Sequence, residues 1–298
     1  MKRLCTILAL LLIVVPLSMA DFQDVLDRAD QLHEDEDYEQ SKSHIESSMA
    51  QAGSGADRAE LYWRLARAWL NLGDEAEDRG VVDEELLAYF EQGEAQAQKA
   101  IDADPNNHLG YYWKSANIGR WGQIKGILNS LFKAKPMRNL LQQAVAADPE
   151  HADSYYVLGQ LYEQVPGFPV SFGDKDYAVS LGRRSLDLHE KQVKAGIEDE
   201  INYDFYTEMA KHLWERDNST AKRKREQGKK MSKYQSTTDP MEKNFHYEGV
   251  VSLKNMSDRE EALELVNWVI RELRAIPNRS GSQDDDLKEA EEVLESWK

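Results

Sequence analysis

Cysteine is almost absent from this chain. Of 298 residues only Cys5 carries a thiol, and it lies within the first twenty. A chain that loses that stretch has no disulfide to form and must be held by packing alone, which oxidising compartments permit. Long apolar runs are equally scarce. Leu4 to Val15 is such a run, yet it falls short of the about 20 residues that span a bilayer. Lys2 and Arg3 precede it, Pro16 breaks it, and Ser18-Met19-Ala20 supplies small residues before Asp21. That is the pattern of a secretory leader over residues 1–20. Cys5 sits too near the N-terminus for a lipid-anchor motif. The expected product is exported, periplasmic or secreted, and soluble after cleavage.

Positive charge is also in short supply. Lys and Arg number 37 against 54 Asp and Glu, a formal net charge of −17. Such a chain repels nucleic acid, and neither zinc-finger spacing nor an RNA-binding motif is present. Catalytic signatures are missing too. The histidines at 33, 44, 108, 151, 189, 212 and 246 form no His-x-x-x-His pair and no Glu-x-x-His. No nucleophile elbow, phosphate loop or dinucleotide fingerprint occurs. Asp102 to Asn106 imitates the start of a calcium loop, but Pro105 intrudes, Asn107 replaces the required Gly and Trp113 the final Glu. No catalytic residue, metal or cofactor is expected. The acidic stretches at 34–39, 74–85 and 284–292 read as solvated faces and caps, and the three sequons as chance.

What is present is a repeat. Ala100-Ile101-Asp102-Ala103-Asp104-Pro105 is followed by Tyr111-Tyr112-Trp113, and Ala144-Val145-Ala146-Ala147-Asp148-Pro149 by Tyr155-Tyr156-Val157-Leu158-Gly159. Helix, Pro-bearing turn and helix, recurring, mark a solenoid whose units cannot bury their apolar faces alone. No useful period-2 run appears, so the expected fold is all-α, with 41% hydrophobic residues for its core.

The pattern resembles the tetratricopeptide repeat (TPR), two antiparallel helices in about 34 residues. Tyr62, Leu65, Ala66 and Trp69 with Gly93, Ala97, Ala100 and Pro105 fit a second unit; Tyr112, Ser115 and Ala116 with Met137, Leu141, Ala144 and Pro149 fit a third. Tyr155, Leu158, Gly159 and Tyr162 with Ala178 and Ser185 fit a fourth. Weaker units lie at 22–52 and 206–233, and the last runs from Phe245 to Asn278. The expected organisation is a leader (1–20), a TPR-like array (21–235), and a C-terminal hairpin with a polar capping helix (236–298). In the three central units the distance from helix A to helix B is stretched, between Trp69 and Gly93, Gly119 and Met137, and Tyr162 and Ala178. These insertions either crowd the A–B turns, forming a binding edge, or lengthen the helices.

The resemblance to TPR implies that helix A positions 5, 9, 12 and 13 face a concave groove. Carried onto this chain, they give Trp63 and Arg67; Trp113, Asn117, Arg120 and Trp121; Tyr156 and Gln160; Lys211 and Trp214. Rings beside orienting polar groups suit a ligand. Phe168 and Phe172, in the loop from Val165 to Gly173, and the stripe Ile124, Ile127, Leu128, Leu131 and Phe132 with Lys125, Lys133, Lys135 and Arg138, are positioned to roof that groove. The basic run 216–233 is a candidate for peripheral contact with an anionic membrane or acidic partner.

Residues 61–188, through Trp113 to Gly119, Gly126-Ile127-Leu128 and Lys133 to Pro149, also resemble the regulator of microtubule dynamics domain. Val165-Pro166-Gly167 to Gly173-Asp174 is similar to the periplasmic TPR-like T component of TRAP-type transporters. Both imply non-enzymatic scaffolding; the second implies a solute-binding or envelope protein as partner. The expected function is therefore an exported, non-enzymatic scaffold that holds a protein partner or a small amphipathic ligand. An envelope hydrolase on a helical scaffold and a self-assembling structural protein are the alternatives.

Overall fold

A computed structural model describes residues 18–198 and 200–298, so the expected leader lies almost wholly outside the described residues. Helices make up most of it: α1 (Ser18–Glu34), α2 (Tyr38–Ser48), α3 (Gly55–Asp78), α4 (Asp83–Ala103), α5 (His108–Lys125), α6 (Ile127–Ala147), α7 (Ala152–Gln164), α8 (Lys175–Ala195), α9 (Asp204–Arg216), α10 (Thr220–Ser236), α11 (Pro240–Asn244), α12 (Asp258–Ala275) and α13 (Gly281–Ser296). No strand is present among the described residues, and none of the described helices is long and apolar enough to cross a membrane. From α1 to α9 each helix packs on the next, and α12 packs on α13. The chain is a TPR-like all-α solenoid.

The repeated Asp-Pro-Tyr phrase has a physical basis visible twice. The Tyr111 hydroxyl donates to the Pro105 carbonyl at 3.0 Å, and the Tyr155 hydroxyl to the Pro149 carbonyl at 3.2 Å. Asp104 and Asp148 each accept a backbone N–H two residues on, at 3.0 and 2.9 Å. Proline ends the preceding helix because it cannot donate, and the tyrosine six residues later ties the turn to the next helix. Asn107 caps α5 by accepting from Leu109 and Gly110.

Two of the three central insertions are helix, not turn. Only residues 79–82 separate α3 from α4, and Gly126 alone, at φ 80, separates α5 from α6. A positive φ is accessible to glycine without a Cβ penalty, so one residue reverses the chain. Only the fourth unit carries a loop, 165–174, closed by the Gly173 N–H on Pro166 O (3.0 Å) and the Asp174 N–H on Tyr162 O (2.9 Å). A Cβ on Gly173 would stand 1.9 Å from Val165 O.

The C-terminal pairing departs from the expected units. α9 packs on α8 and α12, whereas α10 lies against the short 3₁₀ turn Tyr247–Val250. α12 can serve as the partner because it buries Ala262, Val266, Val269, Ile270 and Leu273; α10 buries only Arg223 and Lys230, and Ala221 is exposed. The basic run is accordingly not all surface. Arg216, Arg223 and Lys230 are buried against Glu248, Asp258 and Glu261, while Lys222, Lys224, Arg225 and Lys229 remain exposed.

Candidate functional site

The extended α5/α6 hairpin and α7 enclose a cavity of about 410 Å³. Trp113, Ala116 and Arg120 reach it from α5, Leu131, Ala134 and Met137 from α6, and Tyr156, Gln160 and Val165 from the α7 side, with Asp204 contributed by α9. The positions follow from helix periodicity: 113, 116 and 120 share one face of α5, and 156 and 160 one face of α7. Lengthening α5 and α6 by added turns raises a wall that a standard unit lacks. The lining is mostly apolar, with a few polar groups that converge, which is the usual composition of a ligand pocket.

Most of those polar groups are already engaged. The Tyr156 hydroxyl donates to Asp204 Oδ2 at 2.6 Å and accepts from Gln160 Nε2 at 3.0 Å. Burial, with repulsion from Glu289, pushes the Asp204 carboxyl up to about 7. Burial and the Asp204 charge hold the Tyr156 hydroxyl well above its ordinary value. Arg120 donates to Asp74 at 2.7 Å and is paired with Glu77. The Trp113 indole N–H, buried, has no hydrogen-bond partner. Among the lining residues Asp204 is the single carboxyl, and there is no histidine.

Four of the expected groove residues thus meet in one place: Trp113, Arg120, Tyr156 and Gln160. The others lie elsewhere. Asn117 is 0% exposed, its amide donating to Ala66 O (3.2 Å) and Trp113 O (2.8 Å). It is interior because Gly93 of α4 leaves room: a Cβ there would stand 1.9 Å from Asn117 Oδ1. Trp63 is also buried, beneath the guanidinium groups of Arg64 and Arg67, and Arg67 pairs with Asp30 at 2.6 Å. Trp121 is half-buried against the Ala76, Leu86 and Phe90 cluster, edge-on to Phe132, and donates to Glu91. Lys211 is paired with Glu208 and Glu289. Trp214 stacks on Trp297 at 4.3 Å with Arg259 on it. Phe172 packs on Tyr162 under Arg138, whereas Phe168 is 93% exposed. Of the expected roof, Leu131 lines the cavity, and Leu128 and Phe132 are exposed.

One cluster escapes a reading of the sequence. Beyond Tyr156 and Asp204, the seam between α7 and α9 continues to Glu163, Glu208 and His212. His212 Nδ1 lies 2.6 Å from Glu163 Oε2 and 3.6 Å from Glu208 Oε1. Burial works against charge on His212, but the hydrogen bond to Glu163 and the Glu208 charge outweigh it and raise its pKa. The signal available is Glu208-x-x-x-His212, which places both side chains on one helical face. These three residues adjoin the cavity wall without lining it.

The family model for regulator of microtubule dynamics proteins 1–3 matches residues 25–167. Regulator of microtubule dynamics protein 1 of Bos taurus is 27% identical over 139 residues, 47% of this chain and 41% of that protein. Protein 3 of Rattus norvegicus is 23% identical over 148 residues, 49% of this chain and 30% of that protein. The chain spans less than half the length of these curated relatives. Among solved structures, a thermophilic TPR protein of Thermus thermophilus aligns with TM-score 0.48 and 14% identity, covering 76% of this chain and 96% of that one. MamA aligns with TM-score 0.39 and 13% identity over 82% and 96%. The chain is a TPR-like helical protein that resembles the regulator of microtubule dynamics family.

Proposed function

We propose that the chain is a non-enzymatic binding scaffold that holds an amphipathic group, presented by a protein partner or a small molecule, in the cavity between α5, α6 and α7. One observation carries this reading. The cavity joins Trp113, Leu131, Met137 and Tyr156 as apolar surface to Arg120 and Gln160 as orienting groups, in a volume of ligand size. Its single carboxyl is committed to Tyr156, so the lining offers no acid–base pair for hydrolysis. The reading extends to location: the leader pattern of residues 1–20 favours an exported protein, and a solute-binding or envelope protein as partner.

The test uses 8-anilinonaphthalene-1-sulfonate, an anionic amphipath whose fluorescence reports an apolar site. Ala116→Trp fills the cavity from α5, and Trp113→Ala removes its aromatic wall. Both should lower the saturable fluorescence severalfold while far-UV circular dichroism stays helical. Unchanged binding in both variants removes the cavity as the site. Native co-purification with the same variants then identifies the partner, and N-terminal sequencing of the mature chain tests export.

A further inference from the structure

We infer that Glu163, Glu208 and His212 form a divalent metal site, with zinc as the best-fitting ion, that staples α7 to α9. The donor atoms, one from each side chain, all lie within 4.8 Å of one another. An imidazole nitrogen with two carboxylate oxygens suits zinc, whereas calcium and magnesium prefer all-oxygen shells. At Zn–N and Zn–O lengths of about 2.0–2.2 Å, tetrahedral donors sit roughly 3.4 Å apart. The His212 Nδ1 distances of 2.6 and 3.6 Å bracket that separation, so small side-chain shifts admit the ion.

The surroundings hold the ligands in place. The His212 ring is fully buried in a slot made by two glycines: a Cβ on Gly159 would stand 2.8 Å from its Nε2, and one on Gly182 2.8 Å from its Cδ2. That slot aims Nδ1 at the carboxylates, and Nε2 has no hydrogen-bond partner. Glu208 is 2% exposed. Lys211 pairs with its Oε2 at 2.5 Å. Oε1 faces His212 Nδ1 at 3.6 Å, too long for a hydrogen bond. Oε1 is the oxygen turned away from the Lys211 pair, and a cation at this point joins it to Glu163. Glu163 retains 14% side-chain exposure, which gives the ion a way in. Glu163 comes from the fourth unit and the other two from the fifth, so the ion joins two repeats beside the cavity wall. Three protein ligands leave the fourth position to water.

The full chain, stripped with a chelator, is titrated with cobalt(II) and then zinc. The expected result is a visible d–d absorption that saturates at one equivalent and is displaced by zinc, with a rise in melting temperature. Glu163→Gln and Glu208→Gln should each weaken cobalt binding at least tenfold and abolish the thermal shift. His108→Gln, where the His108 ring packs edge-on against His151, should change neither. Glu163 is partly exposed, so its variant keeps the fold and leaves the test readable if Glu208→Gln does not. No saturable absorption in the parent chain overturns the inference, as does parental affinity in Glu163→Gln.

Discussion

The Tyr156 hydroxyl donates a 2.6 Å hydrogen bond to Asp204 across the seam between α7 and α9. The carboxyl it meets is buried, faces the charges of Glu289, Asp286 and Glu208, and is pushed from an ordinary 3.8 to about 7. Between those values the folded chain holds a proton that the unfolded chain releases. Stability contributed by this group therefore falls as pH rises toward about 7. Asp204→Asn removes the effect. Urea denaturation at pH 5 and pH 8 should show a smaller loss of stability at the higher pH in the variant than in the parent. Equal losses contradict the assignment.

Gly93→Ala should destabilise through a contact far away in sequence. The new methyl would fall 1.9 Å from Asn117 Oδ1, forcing apart α4 and α5. Overpacking of this kind costs about 1–3 kcal/mol, read as a melting temperature lower by several degrees. A variant melting with the parent shows that the helices do not approach so closely.

Glu248→Ala removes the acceptor shared by three buried cations, Arg183, Arg216 and Lys230. Arg216 is held charged against its burial by bonds to Asp258 and Glu248. Each cation keeps a second carboxylate, Glu261, Asp258 and Asp176 respectively, so the loss stays below the about 3–5 kcal/mol of a fully broken buried pair. Limited trypsin digestion should then cut within α10, whose remaining cations are exposed, before it cuts α7 or α8. Simultaneous cleavage everywhere argues against a local role.

Tyr111→Phe and Tyr155→Phe each delete one turn lock. Each should cost about 1 kcal/mol, and the double variant roughly the sum, since the two turns share no partner. A strongly non-additive double variant means the two repeats are coupled. Chemical denaturation of the four proteins measures this directly.

The Asp-Pro-Tyr phrase is legible in the sequence because each lock spans six residues and repeats. Other features depend on partners distant in the chain. Nothing near Asn117 announces Gly93, so repeat position alone puts Asn117 in the groove when it belongs to the interior. Inserted residues between Trp69 and Gly93 look alike whether they form a loop or extend two helices; the short link 79–82 decides it. Arg223 and Lys230 sit in a run that reads as a surface for peripheral contact, and their partners Asp258, Glu261 and Glu248 lie beyond the helix. Glu208 and His212 share a visible spacing, but Glu163 is 49 residues away from His212. Of the cavity, the α5 and α7 faces can be read from repeat positions, whereas the α6 wall and Asp204 cannot.

The route taken by residues 219–257 has one more consequence. The Asn218 N–H donates to Asp258 Oδ2, and the Asp258 N–H to Asn218 O, both at 2.9 Å. The excursion through α10 and α11 therefore departs and returns at a single clasp, leaving α9 and α12 as neighbours. A module with closely spaced ends can be spliced at such a doorway only if it also supplies an acid in the place of Glu248 and a ring in the place of Phe245, which stacks on Tyr177.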